Sequence, residues 1–419
     1  MTQKATSTID PAAVTLAELH ALYFGLPDPT PDALGEQAAR TRRSIIDRTR
    51  ELLVQIDYAD LKVGDVAAAC GISRASFYAY FKDKRDVVAL LVAGSYRDCL
   101  RVIGRWDALP QDPDLDAVTG WVREYLAFQD VHGMVNGALT ISGPEDPQAL
   151  AMAQHLRMKI ATAMGEVIRQ RQAEPTASPQ ALGIAALAAL NRAWSGPRVS
   201  NLPVDRTDMV RGVAHVLRTL ISARRPAEVA PAAAPPPPAE DPVLTAARDL
   251  FLTSGYAHLT GTGITSACGI SRAELTRMGG KSALFRRVGQ EALDAVMASV
   301  DAYGALPHPC SHADATGWIE QHYAVLDRHG AFLFNQGFTA NTDPQYHRQA
   351  HAGLLRAVWG LGTRLRGRQA VPTDAPDALG LAVLGMITDS WFYARGQGLP
   401  VDDREVIAVL ATAMIDLLG

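Results

Sequence analysis

Val66-Ala-Ala-Ala-Cys70-Gly71-Ile72-Ser73-Arg74-Ala75 recurs 198 residues later as Ile264-Thr-Ser-Ala-Cys268-Gly269-Ile270-Ser271-Arg272-Ala273. Each copy reads as a short helix closed by a glycine that can take positive φ. A serine able to cap the next helix follows. That order is a helix-turn-helix pattern.

The echo reaches well beyond this stretch. From Leu109-Pro110 onward the offset settles at 197, so that Gly120-Trp121 answers to Gly317-Trp318 and Asp130-Val-His132-Gly133 to Asp327-Arg-His329-Gly330. Ala181-Leu182-Gly183, Trp194 and Leu202-Pro203-Val204-Asp205 return as Ala378-Leu379-Gly380, Trp391 and Leu399-Pro400-Val401-Asp402. A period near 200 residues is that of whole domains rather than of a solenoid.

The expected organisation is an N-terminal extension over 1–39 and a first helix-turn-helix domain over 40–88, followed by a helical body over 89–224. A Pro/Ala-rich linker over 225–241 leads to a second, degenerate helix-turn-helix over 242–286 and a second body over 287–419. Within the extension, Ala12 to Tyr23 reads as one helix. The run Pro235 to Pro238 cannot continue a helix, and in extended polyproline form the linker reaches about 50 Å. Ile45, Thr49, Leu52, Leu53 and Ile56 keep a 3.6-residue period, as do Val243, Ala247, Leu250 and Phe251. Amphipathic stretches follow near 84–107, 115–130, 147–172, 178–195 and 205–222, with images in the second half. No alternating strand is present, so the fold class is all-α.

Composition narrows the function classes. The 419 residues are 48% hydrophobic with a formal charge of −4, so global charge does not point to nucleic acid. Locally, residues 40–107 hold 13 Lys/Arg against 9 Asp/Glu, whereas residues 241–300 hold 6 against 5. The first copy is the better phosphate binder. Four cysteines make no disulfide framework, and Cys70 and Cys268 read as small buried residues. Neither a signal peptide nor an 18-residue apolar run is present, so no membrane partner is expected. The default compartment is a bacterial cytoplasm, close to the nucleoid.

In the first copy, Val63, Val66 and Ala67 face inward, Ser73 caps the next helix, and Phe77 and Phe81 pack beneath it. Arg74, Ala75, Ser76, Tyr78 and Ala79 occupy the opening turns, which enter a major groove in such motifs. The stretch from Gly71-Ile72-Ser73 through Tyr78 and Phe81 to Lys84 resembles the DNA-binding domain of TetR-family transcriptional regulators. The resemblance is specific here and weak beyond. It implies phosphate contacts from Tyr78, Lys84 and Lys62, base-edge contacts from Arg74, Ala75 and Ser76, and either role for Tyr80. With Arg43 and Ser73 these residues form the expected DNA-binding set. Ala79 stands where the family often carries His, so one common contact is missing.

The second copy departs where contact chemistry resides. Thr276 replaces Tyr78, Leu275 replaces Phe77, and Gly279-Gly280 replaces Phe81-Lys82 with one residue deleted. Gly261 and Gly263 add helix-weakening positions, so a loosened recognition helix without sequence-specific reading is expected.

The resemblance also implies that helices beyond the fourth enclose an effector and that the last two pair subunits. Trp121, Tyr125, Phe128, His155, Met158 and Trp194 are candidate lining residues in the first body. Trp318, Tyr323, Phe334, Phe338, Trp359 and Trp391 are those of the second, although plain core packing accounts for most such residues. The small-residue runs Ala181–Leu190 and Ala378–Ile387, with 205–222 and 403–418, suit a four-helix contact between the copies. The architecture expected is a single-chain pseudo-dimer, with a homodimer of chains as a further option. His347 and His351 have metal-ligand spacing but no third ligand. No catalytic group, cofactor or metal is expected, and the chain reads as a non-enzyme. The rival to a DNA-binding repressor is a ligand- or protein-binding helical module that no longer binds DNA specifically.

Overall fold

The computed structural model describes residues 35–56, 58, 60–141, 147–175, 177–198, 200–223, 241–254, 256, 258–337 and 343–418. The expected helix at Ala12–Tyr23, linker residues 225–240 and Phe338 lie outside them. Among the described residues every regular element is helical. In chain order these are α1 Glu36–Leu52, α2 Val63–Ala69, α3 Arg74–Tyr78, α4 Lys84–Gly104, α5 Leu115–Ile141, α6 Pro147–Arg169, α7 Pro179–Arg198 and α8 Arg206–Ser222. The second half supplies α9 Pro242–Ser254, α10 Gly261–Cys268, α11 Arg272–Arg277, α12 Gly280–Gly304, α13 His312–Gly337, α14 Pro344–Arg366, α15 Pro376–Trp391 and α16 Asp403–Asp416. No helix among the described residues is long and apolar enough to cross a membrane.

Two compact units result, one of residues 35–109 with 123–163, the other of residues 110–122 with 164–418. This division does not follow the boundary expected from the sequence echo, because 164–223 belongs with the second half. The cause lies in α7 and α8, which pack on α15 and α16. Ala185, Ala186, Ala188 and Ala189 on α7 are fully buried, as are Leu381, Ala382 and Val383 on α15. Their small side chains let backbones come close, as the alanine-rich sequence requires.

In the first unit one apolar cluster joins Ile45, Leu61, Val66, Phe77, Phe81, Val87, Val88 and Leu91 to Val135 and Leu156. Asp83 starts α4 by accepting from the backbone N–H of Arg85 at 2.7 Å and of Asp86 at 3.3 Å. α5 runs on to Ile141, past the expected end near 130, because His132 is buried and its Nε2 lies 3.1 Å from Asp98. In the second unit Phe251, Phe285, Phe332 and Tyr346 make the comparable cluster. Cys70 and Cys268 are half-buried rather than buried, since each lies at the rim of its helix turn.

Corresponding positions make matching contacts. A Cβ on Gly165 would lie 1.7 Å from the Pro179 carbonyl oxygen, and one on Gly362 would lie 1.8 Å from that of Pro376. In both places a helix crosses the next helix's first turn at backbone contact, where only glycine fits.

Candidate nucleic-acid interface

The exposed face of the first unit is built from the turn outward. Gly71 takes φ +66°, a conformation that lets the chain reverse between α2 and α3. Ser73 Oγ then accepts from the Ser76 N–H at 3.0 Å and fixes the start of α3. Phe77 is fully buried beneath, with its ring centroid 5.8 Å from that of Phe81. One helical turn therefore carries its apolar residue inward and sets Ser73, Arg74, Ala75, Ser76 and Tyr78 outward, all exposed. Tyr78 is 55% exposed, unusual for an aromatic side chain. Arg43 on α1 and Lys62 at the start of α2 are also exposed.

Two expected residues sit differently. Tyr80 is half-buried and packs on the core cluster, so the helical phase turns it away from the face of Tyr78. Lys84 is half-buried as well. Its Nζ donates to the carbonyls of Tyr58 at 2.6 Å and Leu61 at 2.9 Å, and lies 4.5 Å from the Tyr58 ring centroid. Two of the ammonium's three donors thus close the loop between α1 and α2. Lys281 does the same in the second half, donating to Tyr256 and Leu259 at 2.9 Å each, 4.4 Å from the Tyr256 ring. Sequence reasoning missed this clamp, although a tyrosine and a leucine preserved ahead of both lysines were a legible signal. Lys84→Met is expected to cost about 2 kcal/mol, since hydrogen bonds to charged groups contribute about 1.5–3. Urea unfolding of the variant measures it; an unchanged midpoint would assign the lysine to DNA alone.

Gly64 is a second overlooked residue. A Cβ there would lie 2.6 Å from Nη2 of Arg74, so the guanidinium rests on the bare backbone of α2. The matching position in the second half is Thr262.

The recognition helix of the second half is formed and capped. α11 is a six-residue helix over buried Leu275, with a full capping box: Ser271 Oγ accepts from Glu274 N at 3.1 Å and Glu274 Oε2 accepts from Ser271 N at 2.7 Å. Gly279 and Gly280 follow α11 at φ +88° and +78°, as the N-cap and first residue of α12, and so lie outside α11. What changes is the outward chemistry. At the 198-residue offset Asp241 answers to Arg43, Thr260 to Lys62, Glu274 to Ser76 and Thr276 to Tyr78. Two cations are lost and two carboxylates gained, while Arg277 stands where the first half has Ala79. Asp241 and Thr260 each accept from a backbone N–H in the first turn of a helix, and the Glu274 carboxylate accepts from the Ser271 N–H. Ser271 hydrogen bonds hold the Glu274 carboxyl below its ordinary range, which keeps it anionic on the exposed turn.

The lining candidates divide. Trp121, Tyr125 and Phe128 are buried on α5, whereas Met158 and Trp194 are half-buried. His155 is exposed and Trp359 is 49% exposed on α14, so neither belongs to an enclosed wall; both sit on the solvent side of their helices. In the second body Trp318 stacks on His322 at 5.6 Å, Phe334 lies 6.0 Å from Trp391, and the Arg395 guanidinium covers Tyr323 at 5.1 Å. His322 is fully buried; Nδ1 meets Ser299 Oγ at 2.9 Å, and burial pulls its pKa down to about 4. Its Nε2, the Tyr323 hydroxyl and the Ser390 hydroxyl are buried without a hydrogen-bond partner. His351 Nε2 lies 3.3 Å from the Asn201 carbonyl, and no group able to hold a metal is found among the described residues.

Residues 45–91 match the family model described as bacterial regulatory proteins, tetR family. Over 180 residues the chain is 24% identical to the HTH-type transcriptional regulator BetI of Escherichia coli, in strain K12 / DH10B and in strain K12 alike. The alignment spans 42% of this chain and 90% of that regulator. The family match begins within α1 and ends within α4, and so contains the whole turn and exposed helix described above. Residues 45–91, a helix-turn-helix by their geometry, are therefore similar to the DNA-binding domain of that family.

Proposed function

We propose that the chain is a sequence-specific DNA-binding transcriptional regulator, a repressor released by a small-molecule effector. In this reading it consists of two fused TetR-like units paired as a pseudo-dimer, of which only the first reads bases. One observation carries the proposal: a capped recognition helix presents Arg74, Ser76 and Tyr78 to solvent above a buried Phe77. Arg43 and Lys62 supply phosphate contacts that set register, while α3 supplies base contacts that choose sequence. Lys84 acts mainly by holding the loop that presents Lys62. Carboxylates at Asp241 and Glu274 work against a polyanion, which is why the second helix-turn-helix is assigned no reading role.

The unpartnered polar atoms of His322, Tyr323 and Ser390 support an effector site in the second body. A buried polar group without a partner costs about 1–3 kcal/mol, which a ligand hydrogen bond offsets. Release from DNA then requires the effector to bind the DNA-competent form more weakly than the other.

Selection of the full chain against random DNA, followed by titration of the enriched sequence, tests the reading. Arg74→Ala should lower affinity by about tenfold to a hundredfold and relax preference at one position. Lys62→Ala should weaken all sequences and reduce the salt slope by about 1. Thr276→Ala should change neither, and the footprint should be one-sided. No enriched sequence would instead favour a ligand- or protein-binding module.

A further inference from the structure

The inference rests on the reading of the chain as two fused repeats, and it concerns what lets them recognise each other. Between residues 178 and 212 the two copies align at an offset of 197 without a gap. Arg192 on α7 corresponds to Asp389 on α15, and these two side chains form an ion pair with one another. They are only 18% and 10% exposed. In a two-fold contact a surface meets its own copy, so residues near the axis face themselves. The first repeat against itself would set Arg192 beside Arg192; the second against itself would set Asp389 beside Asp389.

The packing around the pair is unequal in the same sense. A Cβ on Gly385 would lie 2.2 Å from Cβ of Arg192, whereas the position matching Gly385 is Ala188, which carries that methyl group. Gly196 leaves room for Leu381, whose Cδ2 would stand 2.8 Å from an added Cβ; the residue matching Gly196 is Tyr393. Gly212 approaches the Ala378 backbone to within 3.1 Å of an added Cβ, and its match is Val409. Polar contacts are also one-sided. Asn191 donates to the Tyr393 hydroxyl at 2.6 Å, and Ser178 donates through N–H and Oγ to Glu405 at 2.7 and 2.5 Å. The mirrored pairs would be Thr388 with Gly196 and Ala375 with Asp208, in which the tyrosine hydroxyl and the serine hydroxyl have no counterpart.

We propose that the α7–α8 face of the first repeat is a binding surface specific for the α15–α16 face of the second, and that each face rejects a second copy of itself. Like charges facing each other in a poorly solvated contact are strongly unfavourable, and steric mismatch adds to this. The face is therefore satisfied inside one chain and is closed to the homotypic pairing that identical subunits would use.

Substitutions in the full chain reproduce each rejected contact. Asp389→Arg creates the Arg–Arg contact of the first repeat with itself, Arg192→Asp the Asp–Asp contact of the second, and Gly385→Ala the methyl clash. Each should lower the melting temperature by roughly 5 °C or more, read by circular dichroism. The double reversal, Arg192→Asp with Asp389→Arg, should return it to within about 2 °C of the parent, also when a single variant fails to fold. Singles that melt like the parent, or a double reversal no better than the worse single, would overturn the proposal. Neither readout involves DNA, so a failure here counts against selective pairing, whereas an empty DNA selection counts against the regulator.

Discussion

Gly362→Ala should destabilise the second unit by about 3 kcal/mol, the upper end of ordinary overpacking penalties. The added methyl would stand 1.8 Å from the Pro376 carbonyl oxygen, which belongs to backbone at the start of α15 and cannot rotate away. Relief requires α14 and α15 to separate, and α15 is the central element of the four-helix contact with α7, α8 and α16. For a unit of this size the loss corresponds to a fall in Tm of roughly 6–12 °C. Gly165→Ala should act alike, through the Pro179 carbonyl at 1.7 Å. Gly94→Ala on α4 is the control, because nothing lies within 4 Å of its added Cβ. There the lower helix cost of alanine should leave stability unchanged or raise it by up to about 1 kcal/mol. A thermal melt of Gly362→Ala that overlays the parent would show that the helices do not meet as closely as described.

Phe77→Ala is expected to remove about 3–5 kcal/mol from the first unit, the range for deleting a fully buried phenylalanine. Its ring fills the space between the recognition helix and the Ile45, Leu61, Val66 and Phe81 side chains. Since whole domains are stable by only about 5–15 kcal/mol, that loss should unfold the helix-turn-helix at moderate urea and abolish DNA binding with it. Phe77→Leu should be far milder, at about 1 kcal/mol, because Leu275 occupies the corresponding place in the second half and is buried there. Urea unfolding followed by tyrosine fluorescence and by circular dichroism separates the two. Equal midpoints for Phe77→Ala and the parent would mean that α3 does not depend on this contact, and the exposed face would lose its foundation.

The candidate interface was legible because its signals are local. A glycine at positive φ, a serine cap and an aromatic four residues on follow from dihedral limits and helical period, so Gly71, Ser73, Phe77 and the outward set through Tyr78 could be placed from the residues themselves. The half-buried settings of Lys84 and Tyr80 were not legible by the same means. Whether a lysine reaches outward depends on which carbonyls lie within reach, and those of Tyr58 and Leu61 are brought there by the path of the chain more than twenty residues earlier. Trp359 and His155 failed as wall residues for a related reason: apolar or aromatic character does not say which side of a helix meets solvent. Of the glycines of the second half, Gly261 and Gly263 lie inside α10, whereas Gly279 and Gly280 fall at the start of α12 rather than within α11.

By itself the sequence pointed to an all-helical fold with a helix-turn-helix within residues 40–88, a repeated pattern of glycines, tryptophans and caps, and a second copy in which Asp241 and Thr260 replace Arg43 and Lys62. Those properties depend on neighbours within a few residues, or on comparing one half of the chain with the other. Tertiary structure alone decided that residues 164–223 join the second half, that Lys84 and Lys281 tie down loops, and that Arg192 meets Asp389. Opposite charges at matching positions are visible as letters, but their meaning depends on whether they touch. Contact between residues 197 apart is set by how whole helices pack, and no local rule supplies that.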